Sequence, residues 1–119
     1  MISDERFKKA EHLLKTKDFM AVYKKGARAG AGWVILYYLP NAIAFNRIGF
    51  SISSRNIGLA TRRNRIRRLF REAFRNKKKD FKKGFDIVLV IKKDPGRQAS
   101  YKEIEDIFIR LGKGARALL

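Results

Sequence analysis

The sequence predicts an α+β domain with a mostly antiparallel sheet packed by helices, and three observations carry the prediction. Apolar residues recur at the 3.6-residue period of core-facing helices within residues 66–74 and 104–111. Residues 33–39, 47–53 and 85–91 have the composition of strands. The order along the chain is helix, two or three strands, helix, strand, helix. At 119 residues there is room for one domain with a real core. An apolar content of 45% argues against disorder, although 34% of the residues are charged.

Each element has its own signature. Residues 1–15 are of mixed charge and read as a loosely held arm. Residues 16–25 read as a short helix with Phe19, Val22 and Tyr23 on one side. Asp18 suits its first turn, Lys24 and Lys25 its last, and Gly26 stops it. Residues 27–32 are small apart from Arg28 and read as a loop. The strand at 33–39 ends at Pro40 and Asn41. Residues 47–53 alternate cleanly: Ile48, Phe50 and Ile52 face one way, and Gly49, Ser51 and Ser53 the other. That second face is small and polar enough to floor a groove. Residues 54–59 lead into the middle helix, and 76–84 form a basic connector. Residues 85–91 are nearly all apolar, as a central strand covered on both faces requires. Asp94, Pro95 and Gly96 make a turn. Ser100 and Glu103 have capping-box spacing, opening a last helix buried along Ile104, Ile107, Phe108 and Leu111. Gly112 and Gly114 lie in a tail, 112–119, without a clear assignment.

The middle helix is the most informative segment. Residues 55–79 hold eleven Lys or Arg and one acid, Glu72. At 100° per residue, Ile66, Leu69, Phe70, Ala73 and Phe74 fall within about 140° of one another. Arg65, Arg67, Arg68, Arg71 and Arg75 take the other side. Thr61 reads as the N-cap, so Arg62, Arg63 and Arg65 crowd the first turn, where the helix dipole disfavours cations by about 0.3–1 kcal/mol each. A bound phosphate would reverse that penalty, because free N–H groups and guanidinium groups would converge on one anion. The competing account is a solvated basic face. On the dipole argument, Arg63, Arg65 and Arg68 are expected to be dispensable for folding. Asn64 has an amide able both to donate and to accept hydrogen bonds.

The net charge of +18, from 29 basic and 11 acidic residues, points to nucleic acid or an anionic membrane surface. The longest apolar run, 29–39, is too short for the roughly 17–25 residues a bilayer span needs. The first residues lack a secretory apolar region. Without cysteine there is no disulfide framework and no zinc ribbon. A cytoplasmic location is expected. The single histidine, His12, reads as a solvated residue of the arm rather than a general base. The eleven acids are spent at helix starts or scattered, so no metal-binding or catalytic constellation is expected. Phe19, Tyr23, Tyr37 and Tyr38 are either core packing or a stacking platform for unpaired bases.

The run RIGFSISSRN, followed by A-x-x-RNRIRRLFREAFR, resembles the protein subunit of bacterial ribonuclease P, whose hallmark is a basic RNR helix. Here the hallmark is Arg63, Asn64 and Arg65, followed by Ile66, Arg67, Arg68, Arg71, Glu72 and Phe74. KDFMAVYKKG resembles the family's first helix and GFDIVLVIKK its last strand, and the likeness spans roughly residues 13–111. Ser54 departs from the pattern, which usually has a Lys there. The resemblance implies an α-β-β-β-α-β-α sandwich with a left-handed crossover, against the general handedness rule. It implies that a large RNA carries the active site and its Mg2+, and that the protein binds this catalytic RNA and the single-stranded leader of precursor tRNA. By position, Arg55, Arg62, Arg63, Asn64, Arg65, Arg67, Arg68 and Arg71 would contact the catalytic RNA. Phe19, Val22, Tyr23 and Tyr37 would line the leader cleft. No metal held by the protein, no membrane and no obligate protein partner are implied. Two other readings remain open at this point: another structured-RNA-binding protein, and a DNA-binding architectural protein using the helix in a groove.

Overall fold

A computed structural model of the chain describes residues 11–96 and 99–115. Its elements are α1 (Thr16–Lys25), β1 (Ala27–Ala31), β2 (Val34–Pro40), β3 (Arg47–Ser51), α2 (Ala60–Lys77), β4 (Phe85–Ile91) and α3 (Tyr101–Gly114), with a 3-10 turn at Lys78–Asp80 between α2 and β4. The strands lie in the order β1-β2-β4-β3. The β1–β2 and β2–β4 pairs are antiparallel, and β3 runs parallel to β4. The helix α2 therefore crosses between two parallel neighbours, and the expected α+β architecture holds.

Alternation along the strands divides the sheet into two unequal faces. Leu36 of β2, Ile48 of β3 and Ile87, Leu89 and Ile91 of β4 point to the face covered by α2 and α3. The α2 stripe arrives there as its periodicity requires, with Ile66, Phe70, Ala73 and Phe74 buried. Phe70 meets Trp33, Phe50 and Phe108 at ring-centroid distances of 6.2, 6.4 and 6.4 Å. The other face is covered by α1 and by Leu13 of the segment leading into it. Only Leu13, Val22 and Val88 are buried in that cluster, with Phe19, Tyr23, Tyr37, Leu39 and Val90 half-buried around them.

Four expectations are corrected. Residues 27–31 are a strand, not a loop. A turn with Gly32 at φ 58° folds them back on β2, and small residues suit a strand whose Ala29 and Ala31 pack against the helix-covered core. Thr61 is not the cap, because the amides of Arg62 and Arg63 both bond to the Leu59 carbonyl at 3.1 Å and start the helix earlier. The end of the arm is docked: His12 bridges Ile48 in parallel register and the Leu13 amide bonds to the Ile48 carbonyl at 2.8 Å. The rest of the arm, 1–10, lies outside the described residues. The tail assignment also shifts, since α3 continues to Gly114 and Ala115 is buried; residues 116–119 lie outside the description. The Ser100 hydroxyl caps α3 as expected, accepting from the Glu103 amide at 3.2 Å.

One buried polar knot fixes α1 against the sheet. Asp86 is 6% exposed. It accepts from Arg47 Nε at 2.8 Å, Arg47 Nη2 at 2.7 Å and Asn41 Nδ2 at 2.9 Å. Arg47 also faces Asp18 of α1 at 3.7 Å. The Asp86 bond is the main cause of the upward shift of the Arg47 pKa, with burial opposing it.

Candidate nucleic-acid interface

The loop before α2 is tied down before the helix begins. Asn56 and Ile57 bond through their amides to Ser53, and the Asn56 side chain donates to the Ile91 carbonyl at the end of β4 at 3.0 Å. The first turn of α2 contains no acid. Its arginines find negative partners elsewhere in the chain. Arg62 makes a two-pronged pair with Asp94, at 2.8 and 2.6 Å. Arg63 donates to the carbonyls of Ile57 at 2.8 Å and Gly58 at 3.1 Å. Arg65 donates to the Ala99 carbonyl at 3.2 Å, just ahead of α3, while its buried Nε has no hydrogen-bond partner among the described residues. These three side chains tie the helix start to its neighbours, which argues against the expectation that Arg63 and Arg65 are dispensable for folding. The anti-dipole charge is partly compensated by the protein itself.

The other basic side chains of the loop and helix point elsewhere. Arg55 and Arg68 are exposed, and their guanidinium groups make no hydrogen bond or ion pair among the described residues. Asn64 is exposed, and its carbonyl oxygen accepts from Arg67 Nη1 at 2.8 Å. Arg71 lies over the Phe50 ring, 5.3 Å from the centroid, within cation–π range. Its Nε is buried without a hydrogen-bond partner among the described residues. Burial, and then the charge of Arg67, lower the Arg71 pKa. Arg75, by contrast, is paired with Glu72 one turn back.

Arg67 and Arg71 form one wall of a groove of about 240 Å³ along the edge of β3. His12, Leu13 and Leu14 of the docked arm and Phe19 of α1 complete it, over Ile48, Gly49 and Phe50. Gly49 is not an open floor. A Cβ there would fall 2.5 Å from the Phe19 ring, so the missing side chain is what lets Phe19 lie against the sheet. Phe19 continues into an aromatic patch: its ring is 6.5 Å from Tyr23, which meets Tyr37 edge-on at 5.2 Å. Val22, expected in the cleft, is fully buried and supports this patch from beneath, with no surface for a ligand. The structure therefore joins Phe19, Tyr23 and Tyr37 into one surface and brings Phe19 to Arg67 and Arg71.

Two groove residues escaped the sequence reading. Alternation places Phe50 on the core face, and the structure agrees, but near the end of an edge strand that position is half open. His12 is half-buried in the groove rather than solvated; its pKa is lowered, mainly by burial and then by Arg71, with Glu11 opposing. The neighbouring Leu13 and Leu14 were the available signal that this stretch docks.

These features define a class: a small α+β domain that turns a cationic helix face, an arginine-walled groove and an aromatic patch outward. Among the described residues, no three of His, Asp and Glu come together as a metal site. The sequence model of the family described as Ribonuclease P matches residues 7–116. The chain is 38% identical over 106 residues to the ribonuclease P protein component of Alkaliphilus oremlandii, covering 89% of this chain and 91% of that one. It is 36% identical over 108 residues to the counterpart from Clostridium botulinum, covering 90% and 96%. Among solved structures, the Staphylococcus aureus RNase P protein superposes with a TM-score of 0.81 at 28% identity, over 93% of this chain and all of that one. The Thermotoga maritima protein gives 0.76 at 28% identity, over 85% and 94%. The chain belongs to the ribonuclease P protein family, and with it to tRNA processing.

Proposed function

We propose that this chain is the protein subunit of ribonuclease P, binding the catalytic RNA with α2 and the loop before it, and the single-stranded leader of precursor tRNA with the groove and aromatic patch. The observation that carries the reading is the meeting of Arg67 and Arg71 with Phe19 and Phe50 in one groove. An unpaired nucleotide has a phosphate for the arginines and a base face for the rings, and each stacked base is worth roughly 1–3 kcal/mol. Arg55, Asn64 and Arg68, all exposed, are the side chains of α2 and its leading loop best placed to reach the catalytic RNA. In this reading the catalytic RNA holds the Mg2+ and cleaves the phosphodiester. The protein's share is binding and alignment, in the cytoplasm and without an obligate protein partner. Among the described residues no helix is long and apolar enough to cross a membrane.

The test is reconstitution. Adding the protein to ribonuclease P RNA at low magnesium should stimulate removal of the leader from precursor tRNA. Binding to duplex DNA with no stimulation would overturn the reading.

A further inference from the structure

Arg62 stands on the RNA-facing helix, yet its guanidinium is already occupied. Asp94, in the turn between β4 and α3, grips it with both oxygens in the fork geometry a phosphate would use. The carboxylate is itself held in place, because Asp94 Oδ1 also accepts from the Gly96 amide at 2.9 Å. That amide bond is the main cause of the lowered Asp94 pKa, so the group stays ionised near neutral pH. The pair is reachable, with side-chain exposures of 28% and 32%. An RNA phosphate approaching Arg62 would have to displace a fixed anion and then lie beside it.

We propose that Asp94 is a specificity-determining residue that withholds Arg62 from RNA, acting as an internal phosphate substitute at the start of α2. Its effect is to keep the first turn of a strongly basic helix from gripping any polyanion, leaving Arg67, Arg68 and Arg71 to bind. Non-specific affinity for nucleic acid comes almost entirely from counterion release by such cations. Cancelling one of them therefore lowers indiscriminate binding more than binding to a shaped partner. This inference rests on the RNA-binding reading of α2.

The experiment measures binding to ribonuclease P RNA and to polyuridylate across a salt series. Asp94→Asn keeps an oxygen for the Gly96 amide and removes the charge. It should steepen the log–log salt slope by about 0.7–0.9 and raise affinity for polyuridylate more than for the ribonuclease P RNA. Arg62→Ala should leave the slope unchanged, and the double variant should return to the parent slope. Three results would each overturn the proposal: a parent-like slope for Asp94→Asn, a flattened slope for Arg62→Ala, or a double variant as steep as Asp94→Asn alone. Arg68→Ala separates this failure from failure of the underlying reading. It should flatten the slope, and if it does not, α2 is not the RNA-binding face.

Discussion

The two faces of the sheet divide stability from recognition. On the α2–α3 face, large side chains from both helices and three strands close over one another, and Phe70, Phe74 and Phe108 are fully buried. On the α1 face a ten-residue helix covers a sheet of four strands, and its aromatics end half-buried. A helix that short cannot bury a whole face. The leftover apolar surface is available to a ligand, and its proximity to Arg67 and Arg71 selects an anionic one. The fold is thus held from one side and used from the other, with α2 serving both through opposite stripes.

Damage to the closed face should cost the most. Phe70→Ala removes a fully buried ring that meets Trp33, Phe50 and Phe108, and is expected to lower unfolding stability by about 3–5 kcal/mol in urea titrations. A loss below 1 kcal/mol would erase the contrast between the faces. Asp86→Ala should follow. It strips the buried acceptor from Arg47 and Asn41 and loosens α1 through Asp18, at a cost of about 3 kcal/mol.

On the open face the loss should appear in binding. Tyr23→Ala is expected to weaken precursor tRNA by about 1–3 kcal/mol while mature tRNA, lacking the leader, binds as before. Equal losses for both tRNAs, accompanied by a lower Tm, would return Tyr23 to the core. The same split should appear along α2. Arg63→Ala loses two bonds to the Ile57 and Gly58 carbonyls and should reduce stability by about 1 kcal/mol, whereas Arg68→Ala should leave Tm unchanged.

Sequence periodicity revealed what depends on long apolar stripes. The bounds of α1, the buried face of α2, the central position of β4 and the Ser100 cap all follow from local patterns. The strand β1 did not, because four small residues and one arginine have no strand signature until a turn pairs them with β2. The distribution of arginines was also hidden. Residues 62, 63, 65, 67, 68 and 71 look alike in the sequence, and only the fold brings Asp94, Ile57, Gly58 and Ala99 to the first three. The groove needed a third distant segment, the docked arm, whose place beside β3 no periodicity encodes.

The smallest expected effect is the most direct probe of the groove. His12 is the sole histidine, so its imidazole gives one set of proton resonances to follow by NMR. In the free protein its pKa lies below 6.5, because burial and the Arg71 charge disfavour the imidazolium. The unfolded chain therefore takes up this proton first as pH falls. Between 6.5 and the lowered value the unfolded state binds more protons, so stability declines with acidification across that window and not below it. A leader phosphate between Arg67, Arg71 and His12 would change the sign of the local field and raise the His12 pKa. Binding would then take up a proton, and precursor affinity should strengthen as pH falls from 7 to 6. Mature tRNA should show no such trend, and neither should a His12→Gln variant. An imidazole midpoint that is the same with and without precursor tRNA would place the leader elsewhere, and the aromatic patch would lose its phosphate-binding neighbour.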